Sequence, residues 1–493
     1  MKKLILFSGL IWFSAFPVQA DTLNETRAFF VDPTYDVSGR TQISATLRKI
    51  SDNAYWYIED AVWNALESTP LANHSAALNS LAAEFDYQIY PKLREIFGSE
   101  WNPGIDNDHR ITVLFHDMKQ DAGGYFSPND EYPKERIIEG SSNEREMIYL
   151  NIKYLLNPRV KEFLAHEFQH LITFNQKVKI GGKDDDVWLN EARSEYTATY
   201  LGYEDNFIGS NLHKRKADFL AEPSDSLTEW RNEKADYANV NLFGQYLADR
   251  FGAAMMTKII QSSKIGMESV NEALKTFNAD HNFSRIFGDW LAAVFFNDCS
   301  LVESNRFCYQ NPNLKDLRVS PTRTFSPTES AGIAFSQTIK NWAGNWHKFN
   351  QWPNVLKIEF SSQGENSRLR AFCLLSEFSG KIEIREAVFE PRSGGGEIGI
   401  IYLSNEPSQF TGVVCVPYNQ YKTENFSDND PTITISVRAE ILSSQPVIFS
   451  PVIIPALPAN PTATDISDVL TAAMRQALYI QANIHSPNAL TLL

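Results

Sequence analysis

Three features of this 493-residue sequence predict an α+β domain followed by an antiparallel β-sandwich domain. Up to about residue 297, strand-like runs and helical apolar stripes are mixed along the chain. From about 352 to 442 the pattern changes to short alternating runs separated by turn residues. Beyond that, five prolines between 446 and 461 read as an extended linker.

The elements follow in chain order. Residues 1–20 read as a secretory signal: Lys2 and Lys3 precede the apolar "LILFSGLIWFSAF", and "VQA" supplies small residues before a cut after Ala20. Residues 21–40 form an N-terminal segment that looks irregular. In "SATLRKISDNAYWYIED" two short strands meet at the Asp52-Asn53 turn. Residues 60–98 are mostly helical, interrupted near Pro91. "RITVLFHD" (110–117) and "EMIYLNI" (146–152) are strands, and the loop "AGGYFSPNDEYP" (122–133) has glycines that allow close backbone approach. Residues 205–297 return to helical periodicity, as in "VNLFGQYLADRFG" and "FSRIFGDWLAAVFF". These boundaries place the first domain at 41–315, the β-sandwich at 316–445, the linker at 446–461 and a tail at 462–493, with a helix over 465–481.

Chemistry concentrates in "FLAHEFQHLITFNQ" (163–176), where two of only nine histidines stand four apart. That spacing puts His166 and His170 on one helical face, where two imidazoles can hold one zinc ion. Glu167 then lies beside the metal, placed to take a proton from water. Twenty-one residues past His170, "VWLNEARSEYTATYLGY" (187–203) is a second helix carrying Glu191 and Glu195 on one face. Glu191 can complete a His₂Glu site, and Glu195 can accept the free N–H of a ligand histidine. An acidic solvated helix edge is the plainer alternative, less natural beside Trp188, Leu189, Ala192 and Tyr196.

H-E-x-x-H followed about twenty residues later by N-E-x-x-[ST]-[DE] resembles the gluzincin metallopeptidases. "AHEFQHLI" with "WLNEARSEY", and the upstream "RITVLFHDM…GGYFSPNDEYP…EMIYLNIKYL", more particularly resemble the secreted bacterial hyicolysin family. The resemblance spans about residues 40–310. It implies a zincin-like catalytic domain, a small twisted sheet plus a helical half. It also implies zinc at His166, His170 and Glu191, with Glu167 as the base. In such enzymes an edge strand near 122–133 pairs with the substrate backbone; an ordinary surface hairpin is the alternative here. In the aminopeptidase branch a tyrosine opens a helix and is followed nine and ten residues on by Tyr-Leu. Tyr237, followed by Tyr246 and Leu247, matches, and becomes the candidate oxyanion donor. His213 is the runner-up.

The expected function is therefore that of a secreted zinc endopeptidase, bacterial and extracellular or periplasmic, acting on proteins or peptides. A zinc aminopeptidase is the near alternative, although no G-x-M-E-N stretch is present. A non-catalytic adhesin with a structural zinc site is the alternative from another class, and the presence of Glu167 speaks against it. Loss of the signal would take two lysines and no acid, so net charge falls from −15 to −17. Such a chain is a poor candidate for nucleic acid or an anionic membrane surface, and no second apolar span suggests membrane insertion. "KDDD" (183–186) raises calcium, but the twelve-residue calcium-loop pattern is missing. Four cysteines suit an oxidising compartment. Loop closure and matching strands favour Cys299–Cys308 and Cys373–Cys415. Oligomeric state is left open.

Overall fold

The structure, a computed structural model, describes residues 20–443 apart from 67–70, 139, 278–280, 301–304, 329–331, 351, 380 and 406–408. Residues 1–19 of the expected signal, the proline-rich linker and the tail helix lie outside the described residues.

The first half is built on a six-stranded mixed sheet. Its strands are β1 (Thr26–Phe30), β2 (Gln42–Ile50), β3 (Ala54–Glu59), β4 (Ile111–His116), β5 (Gly124–Phe126) and β6 (Met147–Asn151), in the order β1-β2-β3-β4-β6-β5. β3, β4 and β6 run parallel, and β5 returns antiparallel to close the sheet at one edge. Side chains alternate between faces. Trp56, Ile58, Val113, Phe115, Ile148 and Leu150 meet the helices, while Tyr55, Tyr57, Leu114, Met147 and Tyr149 form a separate apolar layer on the other side.

Two local differences from expectation have physical reasons. The segment 21–40 is not wholly irregular, because "TRAFF" pairs antiparallel with β2. The run Thr-Arg-Ala-Phe-Phe does not alternate apolar with polar residues, and the partner strand imposes the extended state. The interruption expected near Pro91 is a change of helix type rather than a break. Helices α1 (Asp60–Leu66) and α2 (Leu71–Glu84) lead into a π-helical stretch, Phe85–Ile89, before α3 (Tyr90–Phe97). Pro91, the second residue of α3, directly follows that stretch in a continuous helical backbone, where it has no N–H to give to the preceding turn.

Helix α4 (Val160–Thr173) packs between the sheet and the helical half, with Leu164, Phe168, Leu171 and Ile172 fully buried. The helical half comprises α5 (Val187–Tyr200), α6 (Asn211–Ala221), α7 (Lys234–Phe251), α8 (Ala254–Gln261), α9 (Gly266–Thr276) and α10 (Phe283–Phe296). Gly244 lets α5 and α7 approach closely: a Cβ there would stand 2.9 Å from the Ala192 carbonyl oxygen. Asp185, in the acidic run before α5, pairs with Arg193 at 2.8 Å and accepts from the Gly266 N–H at 2.8 Å. That run thus fastens the start of α5 to α9.

The second half comprises two five-stranded sheets packed face to face. One orders β13 (Val388–Pro391), β14 (Glu397–Ser404), β10 (Val355–Ser362), β16 (Ile433–Leu442) and β8 (Ile333–Ile339). The other orders β12 (Ile382–Glu386), β11 (Leu369–Glu377), β15 (Phe410–Asn419), β9 (His347–Asn350) and β7 (Arg323–Phe325). Ile358, Phe360, Leu375, Val413 and Val437 fill the space between them. The alternating runs between about 352 and 442 correspond to β10–β16, while β7, β8 and β9 lie upstream of the stretch where alternation was read. Cys373 and Cys415 are bonded and directly opposite across β11 and β15, and Cys299 bonds Cys308. On the outer face of the second sheet, Phe372, Val416 and Tyr418 join the same core as α10.

Candidate metal centre

α4 and α5 bring His166, His170 and Glu191 together, with one ligand atom from each within 4.8 Å of the others. His166 Nε2 is 3.1 Å from His170 Nε2; Glu191 Oε2 is 3.3 Å from the first and Oε1 3.5 Å from the second. The rings' other nitrogens explain this orientation. His170 Nδ1 faces Asn190 Oδ1 at 3.2 Å, and His166 Nδ1 faces Glu195 Oε1 at 3.8 Å. Both facing oxygens favour a proton on Nδ1, at hydrogen-bond range for His170 and through charge alone for His166, an arrangement that turns the Nε2 lone pairs inward. Two lone pairs and a carboxylate then converge in a buried place, and among the described residues Glu191 Oε2 has no hydrogen-bond partner. That donor set lacks one positive charge and fits a divalent cation of the zinc type. The same demand for positive charge shows in the proton affinity of the site. Burial opposes charge on His166, yet Glu191 and neighbouring carboxylates outweigh it and raise the ring to about 9. Burial lowers His170 to about 4.

Glu195 is held by a dense shell of donors. Arg215 donates from Nε at 2.8 Å and Nη2 at 2.7 Å, Asn211 Nδ2 at 2.7 Å and Asn241 Nδ2 at 2.9 Å. Burial pushes its pKa up, but Arg215 overrides this and holds the carboxyl at about 2. Glu167 has no such partner, and burial pushes it up to about 8. It lies under β5: a Cβ on Gly124 would stand 2.9 Å from Glu167 Cγ and 2.7 Å from the Tyr149 carbonyl oxygen.

Two cavities, about 570 and 540 Å³, open on either side. Tyr35, Gly124, His166, Glu167 and Tyr237 border both. Tyr237 lies in the first turn of α7. Its ring is edge-on to Trp230 at 4.9 Å and under the Arg215 guanidinium at 4.6 Å, and its hydroxyl donates to Asn232 Oδ1 at 2.8 Å. His213 borders neither cavity. It packs on Phe207, and its Nδ1 accepts from the Gly209 N–H at 3.2 Å.

Sequence reasoning missed Arg215, Asn190, Asn241 and Tyr35. Asn190 was within reach as the residue before Glu191. Arg215, Asn241 and Tyr35 arrive from other elements, and no local pattern marks them.

Over 222 residues the chain is 30% identical to the neutral metalloprotease ShpI of Staphylococcus hyicus, an alignment covering 40% of this chain and 48% of that protein. The chain thus spans about half the length of this curated relative. No family model matches. Among solved structures, the pre-peptidase C-terminal domain of a Bacillus anthracis collagenase aligns at TM-score 0.16 and 9% identity, over 24% of this chain and 97% of that one. Tailspike protein 4 of bacteriophage CBA120 aligns at TM-score 0.14 and 13% identity, over 24% of this chain and 14% of that one. Neither structural likeness carries an argument, whereas the sequence identity supports kinship with a bacterial metalloprotease.

Proposed function

We propose that this protein is a secreted zinc endopeptidase with a zincin-like catalytic domain and an accessory β-sandwich. The observation that carries the reading is the inward-facing set His166, His170 and Glu191 on the floor of a two-sided cleft, with Glu167 beside it. Bound there, zinc would supply Lewis acidity, polarising a peptide carbonyl and making water a better nucleophile near neutral pH.

The chain's own groups do the rest. Glu167, as the carboxylate, takes a proton from the attacking water and passes it to the leaving amine, a shuttle suited to a group whose buried setting raises its proton affinity. Asn190 and Glu195 hold the ligand rings in the tautomer that presents Nε2. Tyr237 is the candidate donor to the developing oxyanion; burial first, then the Glu191 carboxylate, raises its phenol above the usual range and keeps it neutral. Substrate adds as a strand to the open edge of β5, where backbone pairing fixes the peptide across the cleft.

Cavities on both sides of the centre leave room for chain on both sides of the scissile bond, which supports endopeptidase over aminopeptidase. The disulfides and the expected signal support an extracellular or periplasmic location. Among the described residues no helix is long and apolar enough to cross a membrane. The test is cleavage of casein and of an N-terminally blocked peptide, before and after chelation and after zinc is restored. Cleavage of both that disappears and returns supports the reading; cleavage of free-amine peptides alone would make it an aminopeptidase.

A further inference from the structure

Tyr35 belongs to the N-terminal segment, yet it borders both cavities of the cleft together with His166, Glu167 and Tyr237. Its ring is fixed by the sheet. It stacks on Tyr125 with centroids 4.6 Å apart and planes at 13°, and Tyr125 stacks on Tyr149 at 4.1 Å and 8°. Its backbone is fixed as well: the Tyr35 N–H donates to the Asp32 carbonyl at 3.1 Å, and its own carbonyl accepts from the Lys119 N–H at 2.9 Å. Asp32 in turn donates its N–H to the Tyr125 hydroxyl at 3.1 Å.

The hydroxyl of Tyr35 is different. Among the described residues it has no hydrogen-bond partner, whereas the Tyr237 hydroxyl must turn away from Asn232 Oδ1 before it can donate to substrate. A rigid phenol with a spare donor, facing a substrate cleft, gives up almost no freedom when it bonds a ligand. Tyr125, on which it stacks, belongs to β5, so a peptide added to that edge runs past Tyr35 on the sheet side and Tyr237 on the helix side.

We infer that Tyr35 is a catalytic residue whose hydroxyl donates to the scissile peptide unit of the substrate, opposite Tyr237. This rests on the peptidase reading, and it makes the N-terminal segment part of the active site. The donor matters most as the carbonyl oxygen gains charge, so its loss should fall on kcat more than on KM.

The experiment is Tyr35→Phe in the full, zinc-loaded protein, which keeps the stacked ring and removes only the hydroxyl. kcat on a blocked peptide should fall about 10²-fold, with KM, zinc content and melting temperature close to wild type. Affinity for a phosphonate peptide, a mimic of the tetrahedral state, should fall in parallel. A kcat within twofold of wild type, or a lower kcat with unchanged phosphonate affinity, overturns the assignment. If the wild-type protein shows no chelator-sensitive cleavage at all, the peptidase reading is what fails.

Discussion

Arg215→Met should uncouple the metal centre without touching a ligand. In the wild type, Glu195 is buried to 2% exposure and takes four hydrogen bonds, two of them from Arg215. Methionine preserves the apolar stem but removes both bonds and the positive charge paired with Glu195. Breaking one side of a buried ion pair typically costs about 3–5 kcal/mol, because the remaining charge is stranded. Asn211 and Asn241 still donate, so the lower end applies, about 3 kcal/mol. For a domain of this size that is roughly a 6–12 °C fall in melting temperature. Zinc affinity should also fall, because Glu195 loses its orientation toward His166. The double variant Arg215→Met/Glu195→Gln strands no charge and should recover most of the stability, while zinc binding stays roughly 10–100-fold weaker. Thermal melts and zinc titrations on the wild type, Arg215→Met, Glu195→Gln and the double variant form the cycle. A single variant that loses under about 1 kcal/mol, or a double no more stable than the single, would refute the claim that Arg215 exists to hold that carboxylate.

Other outcomes follow from the same geometry. Gly124→Ala places a methyl against Glu167 Cγ and the Tyr149 carbonyl, so cleavage should drop while zinc stays bound; unchanged kcat would show that β5 is free to shift away. Glu191→Ala should abolish tight zinc binding, and Glu195→Ala should weaken it roughly 10–100-fold; equal affinities in isothermal titrations would mean the third ligand is misassigned. Tyr237→Phe should lower kcat roughly 10²–10³-fold and His213→Ala should leave it near wild type, with the reverse pattern giving the oxyanion role to the histidine.

The centre was legible because its residues obey one helical period. His166 with His170, and Glu191 with Glu195, each recur at four, so facing the same way follows from the sequence. The pairing of the two helices drew on resemblance and not on periodicity. What supports the centre was not legible, since Arg215 and Asn241 reach Glu195 from α6 and α7 and carry no signal in their own neighbourhoods. β1 and Tyr35 were missed for a related reason. A five-residue strand is stabilised by its partner, and Tyr35 acquires its place from a stack with β5 and β6. In the second half, alternation identified the longer strands, whereas β7 and β9 have three and four residues and no readable period.

In the proposed function, Glu167 moves the proton at a zinc site built from His166, His170 and Glu191. Turnover by Glu167→Gln, measured on a blocked peptide with metal content determined on the same sample, tests it most directly. Glutamine keeps the shape and leaves the ligands alone, so one zinc per chain and cleavage at or near background are expected. A fully zinc-loaded Glu167→Gln protein that still cleaves at the wild-type rate would contradict it.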